Sequence, residues 1–533
     1  MKLLRFAAVA SASLALSTRG QQALRLPAVI SDNAMLQAGK PVSVWGWAEP
    51  GAHVKVVFKG RPPEFQASFT VLAGRDGKWF GHLPPLKSNT EGQLSVTTDR
   101  GGQKIVHNLV AGEVWLGGGQ SNMEYDLAGT GRTDTGNPAE VGEVAQNVAN
   151  AQREAGAAAP PIRLFKVAVV RSQEPKDDVK GSWIVVDAIQ VPHVSAVAWN
   201  FAVALQKSLH APVGLVVSCV GNTPVETWMS KRTLEATSVG RVVEERSAAE
   251  LAGANPTEIA EYAARMSAWK AANPTPEMQA HNEANKPRTP NLSAANYVPN
   301  QYYNGMIRGL EPYTIRGFIW YQGAGNFQHP SEYGEMFKAL IEEWRQEWKD
   351  AGMPFYFVEE SNFQQKQTSP VEPNGFSIIR EQQHAALALK KVGMVCSVDL
   401  GNGNPHFPNK RPVGTRLANL ALHDVYHVAG RLESPLFESF AIKGDTVKLR
   451  FAHAKGLHLR AGSELKGFAI RGSESRWVWA TGKIVGDEIV LRSDEIAAPL
   501  AVRYAWAVNP ITSVVNGAGL PLCPFRTDRA SAE

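Results

Sequence analysis

Cysteine is scarce in this chain: Cys219, Cys396 and Cys523 are the only three in 533 residues. So few thiols exclude a disulfide framework. Cys219 and Cys396 lie in apolar, strand-like runs and read as buried thiols. An excess of one charge is missing too. The 55 Lys and Arg against 50 Asp and Glu leave +5, a weak field over this length with no basic stripe, which excludes nucleic acid as the expected partner. No run approaches the ~20 apolar residues that span a bilayer, so no membrane span is expected. There is no internal repeat and no low-complexity tract. The glycine-rich turn Gly117-Gly118-Gly119 lacks the Lys of a phosphate loop, and it carries no dinucleotide fingerprint. Ser121 just beyond it is followed by Asn122 and Met123, so the G-x-S-x-G elbow is absent as well.

What is present is a soluble, globular composition with 44% hydrophobic and 20% charged residues, long enough for several folded units. The start, "MKLLRFAAVASASLALS", sets Lys2 and Arg5 before a short run of apolar and small residues. That pattern predicts a signal peptide over 1–22 and a periplasmic or secreted mature protein. From 23 to 110 strands and turns dominate. "VSVWGWAEPGAHVKVVF" alternates, breaks at Pro50-Gly51 and alternates again, which predicts a hairpin in an N-terminal β-domain.

Between 111 and 430 short apolar runs alternate with helical periods: "EVWLGG", "IRLFKVAVV", "GLVVSCVG", "GFIWYQG", "PFYFVEE" and "GMVCSVDLG". Ser195 is placed to cap a helix bearing Phe201, Leu205 and Leu209. Tyr333, Phe337, Leu340, Ile341 and Trp344 mark the inner stripe of another. Strands alternating with helices predict an α/β fold with a parallel sheet. An Ala- and Glu-rich stretch at about 231–296 reads as a helical insertion, and strand patterns return over 431–533 as a C-terminal β-domain.

Ligands of open parallel sheets bind beyond the carboxyl ends of the strands. Those ends carry Gln120-Ser121-Asn122, Gly221-Asn222-Thr223, Gln322-Gly323-Ala324-Gly325-Asn326 and Asn402-Gly403-Asn404-Pro405-His406. A hydroxyl, small turns, amides and an imidazole are the parts of a serine acyl hydrolase. Ser121 needs a base to become a nucleophile, and the imidazole of His406, with an ordinary pKa near ~6.5, suits that task. The N–H groups of Ser121 and Gly221, with an amide from Gln322 or Asn326, would hold the oxyanion. His423 and His427, spaced to share one helix face, lack the H-E-x-x-H pattern and a third ligand. A packed or solvated face is the better reading, and no metal or organic cofactor is expected.

"GEVWLGGGQSNMEYDL" resembles the nucleophile block of the sialate O-acetylesterase family, in the SGNH hydrolase superfamily. "LRLPAVISDNAMLQ", "PVGLVVSCVGNTPVETWMS", "YNGMIRGLEPYTIRGFIWYQGAGN", "HFPNKRPVGTRLANLAL" and "GLPLCPFRTD" resemble further blocks of the family in the same order. The resemblance implies a three-layer α/β catalytic domain flanked by β-domains, acting on acetyl esters of a sugar or glycan. It implies Ser121 as nucleophile, His406 as base and Gly221 in the oxyanion hole, with Gln322 ahead of Asn326 as third donor. The chain departs from the family where Gly-Gly reads Gly221-Asn222, where Q-G-E-S-N reads Gln322-Gly323-Ala324-Gly325-Asn326, and where an Asp usually precedes the histidine. Asp399 is the nearest carboxylate before His406. Three arrangements stay open: Asp399 as triad acid, Asn404 holding the ring, or a Ser–His dyad. Esterases of acetylated xylan or other polysaccharides, and a catalytically impaired carbohydrate-binding homologue, are the alternatives in function.

Overall fold

The fold is that of a computed structural model, which describes residues 24–129, 138–157, 160–253, 256–275, 278, 297–371, 375–401, 403–428 and 430–528. The expected signal peptide and residues 279–296 of the expected insertion lie outside these residues, as does Asn402. A mixed α/β architecture emerges, built on one large mixed sheet and several smaller antiparallel ones.

Parallel strands form the centre of the large sheet. In spatial order they are Val392–Val395, Phe355–Val358, Gly317–Tyr321, Gln103–Gly119, Val213–Cys219 and Ile162–Lys166, with Trp183–Val185 added antiparallel at the edge. Each arises from one of the short apolar runs of the sequence. Every residue of Val213–Cys219, Gly317–Tyr321 and Phe355–Val358 is buried, which is why these runs are continuous rather than alternating. Successive side chains point to opposite faces. Phe318, Trp320, Phe355 and Phe357 pack with Tyr333, Phe337 and Trp344 of the helix Tyr333–Glu347. Trp115, Ile319, Tyr321 and Tyr356 pack with the helices Ala196–Leu209 and Arg411–Asp424. Those two helices approach closely because Gly414 has no Cβ; one built there would lie 2.6 Å from the Cβ of Asn200. The Ser195 hydroxyl accepts the N–H of Ala198 at 3.2 Å and so caps its helix as its position in the sequence suggests.

Of these central parallel strands, Gln103–Gly119 comes first in the chain and lies between Val213–Cys219 on one side and Gly317–Tyr321 on the other. Strand order therefore reverses at Gln103–Gly119, and the carboxyl end of such a strand is where doubly wound sheets bind ligands. This strand has 17 residues. Its first half pairs antiparallel with Glu91–Thr98, its middle pairs parallel with Met35–Gln37, and its second half lies in the parallel sheet. Residue 110, where the sequence suggests a change of unit, falls inside it.

One expectation is corrected in the N-terminal region. Val42–Trp47 pairs with Lys78–Leu83, whereas His53–Arg61 pairs with Phe65–Leu72 and Glu91–Thr98. The turn at Pro50-Gly51 thus links two sheets and does not close a hairpin. Alternation identifies a strand but leaves its partner open, and all six residues of Val42–Trp47 are buried, covered on both faces. Helices Lys231–Glu235, Gly240–Gly253 and Pro256–Ala272 occupy the insertion. After Asp424 the chain builds two antiparallel four-stranded sheets around a core including Val447, Phe468, Ile489 and Tyr504. The three cysteines are buried, and the Cys396 thiol donates to the Glu359 carboxylate at 3.2 Å. Among the described residues no helix is long and apolar enough to cross a membrane.

Candidate active site

The central strand ends in a turn that only glycine fits. Gly119 has φ +131°, and a Cβ there would fall 2.2 Å from the carbonyl oxygen of Tyr321. The close approach is used: the N–H of Gln120 donates to that same carbonyl at 2.9 Å. The chain then enters the short helix Ser121–Glu124, so Ser121 stands where strand becomes helix, partly exposed between buried Gln120 and Asn122.

His406 sits on a loop from the far side of the sheet and is brought against this helix. Its ring stacks on that of Tyr125, with centroids 6.2 Å apart and planes 16° from parallel. The loop is held by polar contacts on either side of the imidazole. The Asn404 side-chain oxygen accepts the His406 backbone N–H at 2.8 Å, and its amide donates to the buried Glu140 carboxylate at 3.0 Å. Behind His406, the Lys410 ammonium donates to the Asn122 side-chain oxygen at 2.6 Å and lies 3.4 Å from the centre of the Phe407 ring. Lys410 is buried, and that burial holds its pKa well below the usual lysine range against the opposing pull of Glu360. Burial likewise pushes the Glu360 carboxyl up; it accepts the N–H of Ala324 at 2.8 Å.

The remaining candidates are distributed differently. The Gly221 N–H points into the same turn, where it donates to Glu124 Oε2 at 2.8 Å. Gln322 is fully buried, and its amide donates to the Thr223 carbonyl at 3.0 Å and to Asn326 Oδ1 at 2.9 Å, while its oxygen accepts the Tyr333 hydroxyl at 3.0 Å. Both amide protons are thereby committed, so Gln322 braces the loop from within and does not offer a donor to an acyl oxygen. Asn326 is also built in: Oδ1 accepts the Val225 N–H at 2.9 Å and Nδ2 donates to Glu226 at 2.7 Å.

Asp399 is turned away from the acid role considered for it. Both its oxygens accept from the Arg416 guanidinium at 2.8 Å, in a bidentate pair whose carboxylate is 4% exposed. Proximity in sequence places Asp399 near His406; the stronger planar match to Arg416 decides its orientation. His427 lies beyond the end of the helix Arg411–Asp424 in a left-handed conformation, φ +55°, so it does not share a helix face with His423. Among the described residues no group of three or more His, Cys, Asp or Glu is placed to hold a metal ion.

Known proteins resemble this chain in sequence and in fold. The family model described as "Carbohydrate esterase, sialic acid-specific acetylesterase" matches residues 291–423, the stretch that carries Gln322 and His406. Sialate O-acetylesterase of Mus musculus is 26% identical over 520 residues, covering 90% of this chain and 89% of its own length. The Homo sapiens enzyme is 24% identical over 528 residues, with 91% and 88% covered. The crystal structure of a carbohydrate acetylesterase from Xanthomonas citri superposes with a TM-score of 0.75 at 31% identity, covering 95% of this chain and all of that one. The chain belongs to the sialate O-acetylesterase family of carbohydrate esterases.

Within an esterase of this family, several residues around the turn escape a reading by motif. Asn122 and Glu124 stand inside the stretch "GEVWLGGGQSNMEYDL" itself, and Lys410 follows His406 by four positions in "HFPNK", so their spacing is a usable signal. Glu140 and Glu360 have none: only folding brings them beside Asn404 and Ala324.

Proposed function

We propose that this carbohydrate esterase releases acetate from O-acetylated sugars through Ser121 and His406. The Ser121 hydroxyl oxygen attacks the acetyl carbonyl carbon as His406 takes its proton. The backbone N–H groups of Ser121 and Gly221 stabilise the oxyanion of the tetrahedral intermediate, the acyl oxygen displacing Glu124 from Gly221. Collapse expels the sugar hydroxyl, protonated by His406, and leaves acetyl-Ser121. Water gives its proton to His406 and attacks that ester; collapse breaks the bond to Ser121 Oγ, which takes the proton back from His406, and acetate is freed. The reaction as written needs neither metal nor organic cofactor.

The observation that carries this reading is the stacking of His406 on Tyr125, one turn beyond Ser121, at the strand end where chain order reverses. Acetate release from O-acetylated sialic acid tests it. Ser121→Ala is expected to lose about 10⁴-fold in kcat, and equal rates in the two proteins overturn the serine mechanism.

Acetylated neutral polysaccharide such as xylan is the second reading, favoured by the carboxylates near the turn. Glu124 faces the Gly221 N–H, and in the adjoining cavity Glu226 and Glu250 outnumber the one guanidinium, Arg246. A sialic acid brings its own carboxylate into that field, whereas a neutral sugar does not. Initial rates on the two substrates side by side decide between them. The fold is further read as a three-layer SGNH-type unit over 111–430 with β-domains at 23–110 and 431–533. The leader supports export to the periplasm or beyond; a mature N-terminus at Met1 in the recovered protein contradicts that.

A further inference from the structure

A cavity of about 170 Å³ adjoins the catalytic turn, lined among others by Asn222, Glu226, Tyr297, Gly325 and Phe327. Its wall is continuous with the site. Asn222 follows Gly221, whose N–H faces Glu124, and Gly325 donates its N–H to Gln120 Oε1 at 3.1 Å, directly before Ser121. Two features of this chain shape it. Asn222 occupies a left-handed position, φ +60°, that glycine would fill most easily. As an Asn it carries a side chain, whose amide donates to the Tyr297 hydroxyl at 3.0 Å and forms a polar wall. Opposite in character is Phe327, 46% exposed at the mouth, with Phe376 behind it at a ring distance of 5.9 Å.

An exposed aromatic ring backed by a second ring is costly to leave in water, and it offers a flat apolar face. The C–H faces of pyranose rings match such a surface, while their hydroxyls need amide and phenol partners of the kind Asn222 and Tyr297 supply. Concave sites with an apolar wall and a few fixed polar groups are the usual form of small-ligand pockets. We infer that this cavity is a subsite for the sugar unit adjacent to the acetylated one, with Phe327 as platform and the Asn222–Tyr297 pair as its hydrogen-bonding wall. The ligand is therefore a glycan chain rather than a single acetylated sugar. This inference rests on the esterase reading of Ser121.

The test measures kcat/KM of wild type, Phe327→Ala, Asn222→Gly and Ser121→Ala on 4-nitrophenyl acetate, acetylated xylo-oligosaccharide and acetylated sialyllactose. For the glycan that wild type turns over faster, the ratio of its kcat/KM to that of 4-nitrophenyl acetate is expected to fall about tenfold in Phe327→Ala and Asn222→Gly, the loss of one ring contact or one hydrogen-bonding wall. An unchanged ratio in both variants overturns the subsite. So does turnover of 4-nitrophenyl acetate by wild type with neither glycan used. Ser121→Ala reports separately: wild-type rates there remove the serine mechanism, while the ratios in the other two variants still read the subsite.

Discussion

The Lys410 ammonium and the Asn122 side-chain oxygen meet at 2.6 Å inside the protein, and each residue lies close in the chain to a proposed catalytic group. Asn122 is next to Ser121, and Lys410 lies one helical-turn length after His406. One buried hydrogen bond therefore ties the Ser121 turn to the His406 loop. Phe407 lies under the ammonium at 3.4 Å, and Tyr125, the ring that stacks on His406, lies 5.7 Å from it.

Replacing Lys410 with Met should lower kcat by about tenfold or more while KM changes little, because the substrate does not touch this side chain. A matching pH effect comes from burial, which depresses the Lys410 pKa in the folded state. Between that depressed value and the unfolded value near 10.5, the unfolded chain binds more protons, so wild-type stability gains from this group as pH rises. The urea midpoint of wild type minus that of Lys410→Met should therefore rise from pH 7 toward pH 10. A difference that falls over this range contradicts the depressed pKa.

Asp399→Asn should act on stability and spare chemistry. It leaves Arg416, whose side chain is 16% exposed, without its bidentate partner. Breaking a buried pair from one side costs about 3 kcal/mol or more. The urea midpoint is expected to drop, while kcat per active site stays within about twofold. A collapse of kcat in well-folded protein would return Asp399 to the role of triad acid.

Glu124→Gln probes the donor at Gly221. A carboxylate accepts an N–H about twice as strongly as a neutral amide does. With Gln in place, an incoming acyl oxygen displaces a weaker competitor, and kcat/KM on 4-nitrophenyl acetate should rise about threefold. A tenfold loss would mean that the carboxylate itself takes part in turnover.

Burial pushes the Glu311 carboxyl up to about 7, with the Tyr303 hydroxyl donating to it at 2.7 Å and Arg308 beside it. The folded protein therefore holds a proton that the unfolded chain releases near the ordinary value of 4.5. Its contribution is fully present below pH 4.5 and fades as pH rises through about 7. Glu311→Gln should flatten the wild-type fall in melting temperature between those limits, and an unaltered slope contradicts the shift.

Much of the framework is legible in the sequence because burial leaves strong marks. Runs such as "GFIWY" and "PFYFV" are apolar on both faces, which announces interior parallel strands, and the periods from Tyr333 to Trp344 announce a covering helix. Ser121, Gly221 and His406, proposed here to act, all lie past the carboxyl ends of such runs, but Gln322 and Asn326 lie there too, so position narrows the candidates without choosing among them. Partner choice is harder. Nothing local shows that Val42–Trp47 pairs with Lys78–Leu83 across an intervening sheet. Nor does spacing reveal that Asp399 prefers Arg416, or that Gln322 spends both amide protons on Thr223 and Asn326. Such choices depend on which groups compete in three dimensions, and a guanidinium fork outcompetes an imidazole for a carboxylate within its reach.

The 17-residue strand Gln103–Gly119 behaves as a keel. Its outer half is planked by the antiparallel N-terminal strands, and its inner end carries the glycine turn that presents Ser121. A truncation at residue 110 would saw through this timber rather than part a joint. Its exposed end near Ile105 and the turn at Gly119 belong to one strand, but the register shift opposite Gly92 and Leu94 and the left-handed Asn108, φ +53°, lie between them.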